Sequence, residues 1–167
     1  MGCLGLHFSL SAEEVETLRG FDDEADRVDY LHETLEEEYF EKHPDRLAES
    51  DKAWDAMHRA LSDGHLSWDG GEYPLNHVIL GGELLCTESD FIMVLKTPDQ
   101  VRDVAAVLPG ISEADLRSRY FAIDPDEYGM ELSEEDCGYT WHWFQHVREF
   151  WLRAAQEERF VLFTADQ

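Results

Sequence analysis

The sequence predicts an α+β fold: one compact domain in which a small mixed or antiparallel sheet packs with about five to six helices. Three observations carry this. A chain of 167 residues suits one domain of ordinary size and is short for two. Its apolar residues, including five Trp, six Tyr and nine Phe, supply a hydrophobic core without help from a metal or disulfides. Strand-like and helix-like patterns follow one another irregularly, which disfavours a doubly wound parallel sheet. No repeat, low-complexity tract or linker interrupts residues 1–167, so they read as a single domain.

The opening segment alternates, with Leu4, Leu6, Phe8 and Leu10 on one side and Cys3, Gly5, His7 and Ser9 on the other, and predicts a strand. Ser11 and Glu14 form a capping box for a short helix that Gly20 stops after Arg19. Asp22 or Asp23 opens a longer helix whose apolar stripe is Val28, Leu31, Leu35 and Tyr39, and His43-Pro44 ends it. The next helix runs through Trp54, Met57 and Leu61, with Ser50 or Asp51 as its cap and Asp63-Gly64 as its close. Val78-Ile79-Leu80, bracketed by glycine pairs, reads as a strand, and so does the run from Phe91 to Leu95. Thr97-Pro98 starts a helix that Pro109-Gly110 breaks, and Ser112 with Asp115 caps a short one through Leu116 and Tyr120. Asp124 to Glu131 reads as an acidic loop, Tyr139 to Glu157 as the last and most apolar helix, and Phe160 to Phe163 as a closing strand.

The 38 Asp and Glu against 13 Lys and Arg give a net charge of −25, with no basic stretch to offset it. Nucleic acid and anionic lipid are repelled by such a field, whereas basic proteins are attracted. A GC-rich genome or a salty cytoplasm would produce the same bias, since only Lys42, Lys52 and Lys96 are lysines. Cys3, Cys86 and Cys137 are widely spaced, with no C-x-x-C pair, and suit reduced thiols in a cytosol. No apolar run is long enough to span a bilayer, the start lacks the pattern of a signal peptide, and Leu6 stands where myristoylation prefers Ser or Thr. The expectation is a cytoplasmic protein without a membrane anchor.

Four segments together resemble the YfbM-like family of small bacterial proteins. They are Met1-Gly2-Cys3-Leu4-Gly5, Asp51-Lys52-Ala53-Trp54-Asp55-Ala56-Met57-His58, His77-Val78-Ile79-Leu80-Gly81-Gly82 and Phe150-Trp151-Leu152-Arg153-Ala154-Ala155. The resemblance covers nearly the whole chain and implies a bacterial, cytosolic, single domain containing helices and strands. The family is known mainly as a domain of unknown function, so the resemblance implies no activity and no site.

Two constellations are candidate ligand-binding sites. His142, His146, Glu149 and Arg153 follow at i, i+4, i+7 and i+11, which puts two imidazoles and a carboxylate on one helix face. That set can hold a divalent metal or can simply be the wet face of a buried helix. The H-E-x-x-H order is missing and no third ligand is apparent, so no metal site is assigned. In the second, Trp54 shares a face with His58, and Asp51 shares one with Asp55; a carboxylate and an imidazole beside an aromatic ring suit acid/base work or a small polar ligand. Cap and core roles explain the same residues separately. Cys3 and His7 are no catalytic dyad, because four residues of strand span about 13 Å. Gly81-Gly82 and Gly70-Gly71 lack any phosphate-loop continuation, and no G-x-S-x-G elbow is present, so no cofactor is implied.

The absence of a catalytic signature and the acidity favour a non-catalytic interaction or adaptor protein that binds a basic protein partner. The alternative is a small-molecule binder or enzyme, metal-dependent or not, in which Asp51, Trp54, His58, His142, His146 and Glu149 converge on one cleft.

Overall fold

Five strands form one sheet in the order β2-β1-β5-β4-β3: β1 (Gly5–Leu10), β2 (Leu47–Asp51), β3 (Glu83–Leu84), β4 (Ile92–Lys96) and β5 (Phe160–Ala165). The computed structural model describes residues 4–166. Every neighbouring pair is antiparallel, with Phe8 opposite Leu162 and Val94 opposite Phe163, so β5 sits between the first strand and the later hairpin. Cys3, and with it the question of a Cys3–His7 pair and of an acylated Met1-Gly2-Cys3 start, lies outside the described residues.

Alternation along the strands builds two cores, one on each face. Phe8, Leu10, Leu95 and Leu162 face helix α1 (Ala12–Arg19) and a long helix made of α2 (Glu24–Tyr30), a π-helical stretch Leu31–Glu36 and α3 (Glu37–Lys42). The predicted stripe is the buried one: Leu31, Leu35 and Tyr39 are at most 1% exposed. The capping box of Ser11 and Glu14 forms as expected, and Asp23 caps α2. Val161, Phe163 and Ala165 face the larger core, built from α4 (Trp54–Leu61), α5 (Pro98–Val107), α6 (Glu113–Tyr120) and α8 (Glu134–Gln156). A single helical turn, α7 (Pro125–Tyr128), occupies part of the segment expected as an acidic loop. Among the described residues no helix is long and apolar enough to cross a membrane.

Helices cover both faces of the sheet, so His7 and Ser9 on the second side of β1 are buried too. Three expectations are corrected. Ser50 and Asp51 do not cap α4 but end β2, an unpredicted strand; its two apolar residues are too few to show a period. Val78-Ile79-Leu80 is a buried turn, closed by the Gly81 amide donating to the Asn76 carbonyl at 2.8 Å. Its apolarity reports burial rather than strand. Helix α8 begins at Glu134, earlier than expected, because Ser133 accepts from the Asp136 amide and three acidic residues in its first turn favour the positive end of the helix dipole.

Candidate functional site

The predicted residues fall in three places. Asp51 ends β2 with φ at 47°, and its Oδ2 accepts from the Tyr139 hydroxyl at 2.5 Å; the same hydroxyl accepts from the Lys52 amide. This pair ties β2 to α8. Trp54 is 2% exposed, its ring 5.7 Å from that of Phe163. His58 lies inside the larger core, where its Nε2 donates to the Ser67 carbonyl at 2.6 Å, and burial lowers its pKa to about 4. His142, His146 and Glu149 instead occupy the outer face of α8. The His142 and His146 rings lie 5.0 Å apart, centre to centre. Among the described residues no three His, Cys, Asp or Glu side chains converge to hold a metal ion.

His146 and Glu149 do line a cleft. It has a volume of about 480 Å³ and runs between α8 and the segment from Phe40 to β2. Its walls carry the Phe40, Trp143 and Phe150 rings and the Asp45, Glu49 and Glu149 carboxylates. The one guanidinium there, Arg153, is engaged, donating from Nη1 to the Asp45 carbonyl at 3.0 Å. The helical period of α8 explains the composition: Val147, Phe150 and Trp151 point inward, whereas His146 and Glu149 are exposed beside Trp143. Helix α3 ends at His43-Pro44, and the chain then turns into β2 along the other wall. An aromatic surface ringed by three acids suits a cation with a delocalised or methylene-rich body.

A second group of polar residues, which sequence reasoning did not single out, lies inside the larger core. Lys96 is 0% exposed; its side-chain nitrogen donates to the Ile79 carbonyl and stands 5.5 Å over the Phe163 ring. Burial with no carboxylate partner holds the Lys96 amine well below the usual lysine range. His7 is also 0% exposed, and its Nε2 donates to the Val78 carbonyl at 2.9 Å. Its pKa falls to about 3, chiefly through burial. His77, half-buried, is held at about 4, again chiefly by desolvation. Its Nδ1 donates to the Asn76 Oδ1 at 2.8 Å. Because carbonyls accept from Nε2 of His7 and His58, each neutral ring keeps Nδ1 as an unprotonated acceptor, and neither Nδ1 has a partner. The one sequence signal was a lysine at the end of an otherwise apolar strand, Ile92-Met93-Val94-Leu95-Lys96, which reads equally as a strand terminus.

A family model described as "Domain of unknown function (DUF1877)" matches residues 1–164. The chain belongs to this family. The crystal structure of a protein of unknown function, YfbM from Escherichia coli, has the same fold, with a TM-score of 0.68 at 20% sequence identity over 98% of this chain and 99% of that one. No curated protein matches. Membership of the family therefore establishes kinship, the likeness to YfbM shows the fold, and neither assigns a chemistry.

Proposed function

We propose that this chain is an interaction protein of the bacterial cytoplasm that takes an arginine- or lysine-rich segment of a partner protein into the cleft between α8 and β2. The observation that carries the reading is the cleft itself, in which three carboxylates surround exposed aromatic surface. A guanidinium lying on Trp143 or Phe40 gains a cation–π contact, and Glu49 or Glu149 offers it a charge-assisted hydrogen bond. The net charge of −25 steers such a segment toward the molecule and turns nucleic acid and anionic lipid away.

Titration of the protein with a short synthetic polyarginine peptide, followed by calorimetry, tests this. Trp143→Ala is expected to weaken binding about tenfold and Glu149→Gln by a smaller factor, as removal of central aromatic and charged contacts does elsewhere. Asp29→Asn and Glu33→Gln, on the exposed side of the long helix away from the cleft, should change it little. Equal weakening by all four variants would mean that the acidity acts diffusely and that the cleft is no docking site.

A further inference from the structure

At the opposite edge of the sheet from the acidic cleft, a mainly apolar groove of about 470 Å³ lies against β4 and is lined by Leu66, Trp68, Leu80, Leu84, Ile92 and Val94. The pairing of β4 with β5 is regular, so Ile92, Val94 and Lys96 point to the same face of the sheet. The groove thus runs along β4 toward Lys96. What separates the two is the buried turn 78–80: Leu80 forms part of the groove wall, and the neighbouring Ile79 carbonyl accepts from Lys96. Ser67 also lines the groove, and its carbonyl holds His58. The turn ends at Gly81-Gly82, where a Cβ on Gly82 would lie 3.1 Å from Val94 Cγ1, so this backbone rests directly on the strand.

We propose that the groove and Lys96 together form a covalent binding site for an apolar aldehyde or ketone, whose hydrocarbon part lies over Ile92 and Val94 and whose carbonyl carbon forms an imine with Lys96 when the 78–80 turn moves aside. The lysine nitrogen attacks the carbonyl carbon with its lone pair, and the carbonyl oxygen takes up a proton to give a carbinolamine. Loss of that oxygen as water, with the two protons the amine has given up, leaves the neutral C=N bond, and no atom changes oxidation state. The nucleophile must be a neutral amine, and desolvation is the usual way a protein makes one. Lys96 is suited to that condition: it is fully buried, donates to the Ile79 carbonyl, has no carboxylate partner among the described residues, and burial holds its amine well below the usual lysine range. An ordinary exposed lysine is neutral in only about 1 molecule in 2,500 at pH 7.

The chain has three lysines, so the test reads cleanly. Native protein is incubated at pH 7 with hexanal and cyanoborohydride, which reduces any imine to a stable alkyl-lysine, and the rate at each lysine is read by peptide mass mapping. Lys96 is expected to be alkylated at least about tenfold faster than Lys42 and Lys52, as a neutral amine requires. Trp68→Ala, a change at an exposed groove residue, should slow the reaction at Lys96 severalfold and leave Lys42 and Lys52 unchanged. Alkylation of Lys42 and Lys52 with Lys96 untouched, in protein whose Lys96 reacts once unfolded in urea, would overturn the proposal. So would equal labelling of Lys96 in wild type and Trp68→Ala, which would remove the groove from it.

Discussion

At the scale of single residues, the larger core buries bases without burying acids to match them. His7, His58 and His77 are all held neutral, with pKa values of about 3, 4 and 4, chiefly by desolvation. In the unfolded chain each would titrate near 6.5. Between pH 6.5 and about 4 the unfolded state therefore binds protons that the folded state refuses, so stability falls as the pH falls through that window and is fully present above it. Each fully neutral histidine contributes a slope of about 1.4 kcal/mol per pH unit. Replacing His7 with Phe, a ring of similar size among Phe150, Trp151 and Phe163, should remove one such slope. Urea unfolding at several pH values between 4.5 and 6 would measure it. A variant with the wild-type pH slope would show that His7 is already protonated in the fold.

At the scale of elements, two devices hold the helices and turns in place, and each makes a prediction. Asp136 in the first turn of α8 accepts from the Tyr120 hydroxyl of α6 at 2.7 Å and from the Tyr128 hydroxyl of α7 at 2.8 Å. Tyr120→Phe should cost about 2–3 kcal/mol, because it removes the bond to the Asp136 carboxylate and also the acceptor of the Ser133 amide. Combined with Tyr128→Phe, the losses should depart from additivity, because both act on one carboxylate; strict additivity in thermal melts would show that the two bonds are independent. The turn over β4 depends on Gly82, whose φ of 135° is open to glycine almost alone and whose added Cβ would lie 2.5 Å from the Leu95 carbonyl. Gly82→Ala is expected to cost about 2 kcal/mol or more through strain and clash, whereas Gly110→Ala, with nothing within 4 Å, should stay within about 0.5 kcal/mol. These elements also show what was legible in the sequence. Caps and helical stripes, which are local, located α1, the long helix and α5, and strong alternation located β1. β2 and β3 exist only because β1 and β4 offer them partners, so their own residues carry no period. The 78–80 run misled because burial is a property of the assembled fold.

Over the whole molecule, one wall of the candidate cleft is legible in the sequence and the other is not. His146 and Glu149 come from one helix, and helical spacing places them together; the other cleft wall comes from residues about a hundred positions earlier in the chain. Leu80 and Trp68 share a groove, and Lys96 reaches the Ile79 carbonyl beside it, only through tertiary packing. What the sequence does determine globally is the field. With a net charge of −25, the folded state compresses like charges that the unfolded chain spreads apart, and ion pairs such as Arg19–Glu83 and Arg117–Glu134 are exposed and few. Raising sodium chloride from about 10 mM to about 1 M shortens the Debye length from about 30 Å to about 3 Å. Thermal melts across that range should show the melting temperature rising with salt, while calorimetric affinity for a polyarginine peptide falls, because screening relieves the repulsion within the molecule and weakens the attraction between it and its partner. A melting temperature that falls with salt would mean that the exposed ion pairs contribute more than the crowding of carboxylates costs. Peptide binding that ignores salt would separate the cleft from the charge that is proposed to fill it.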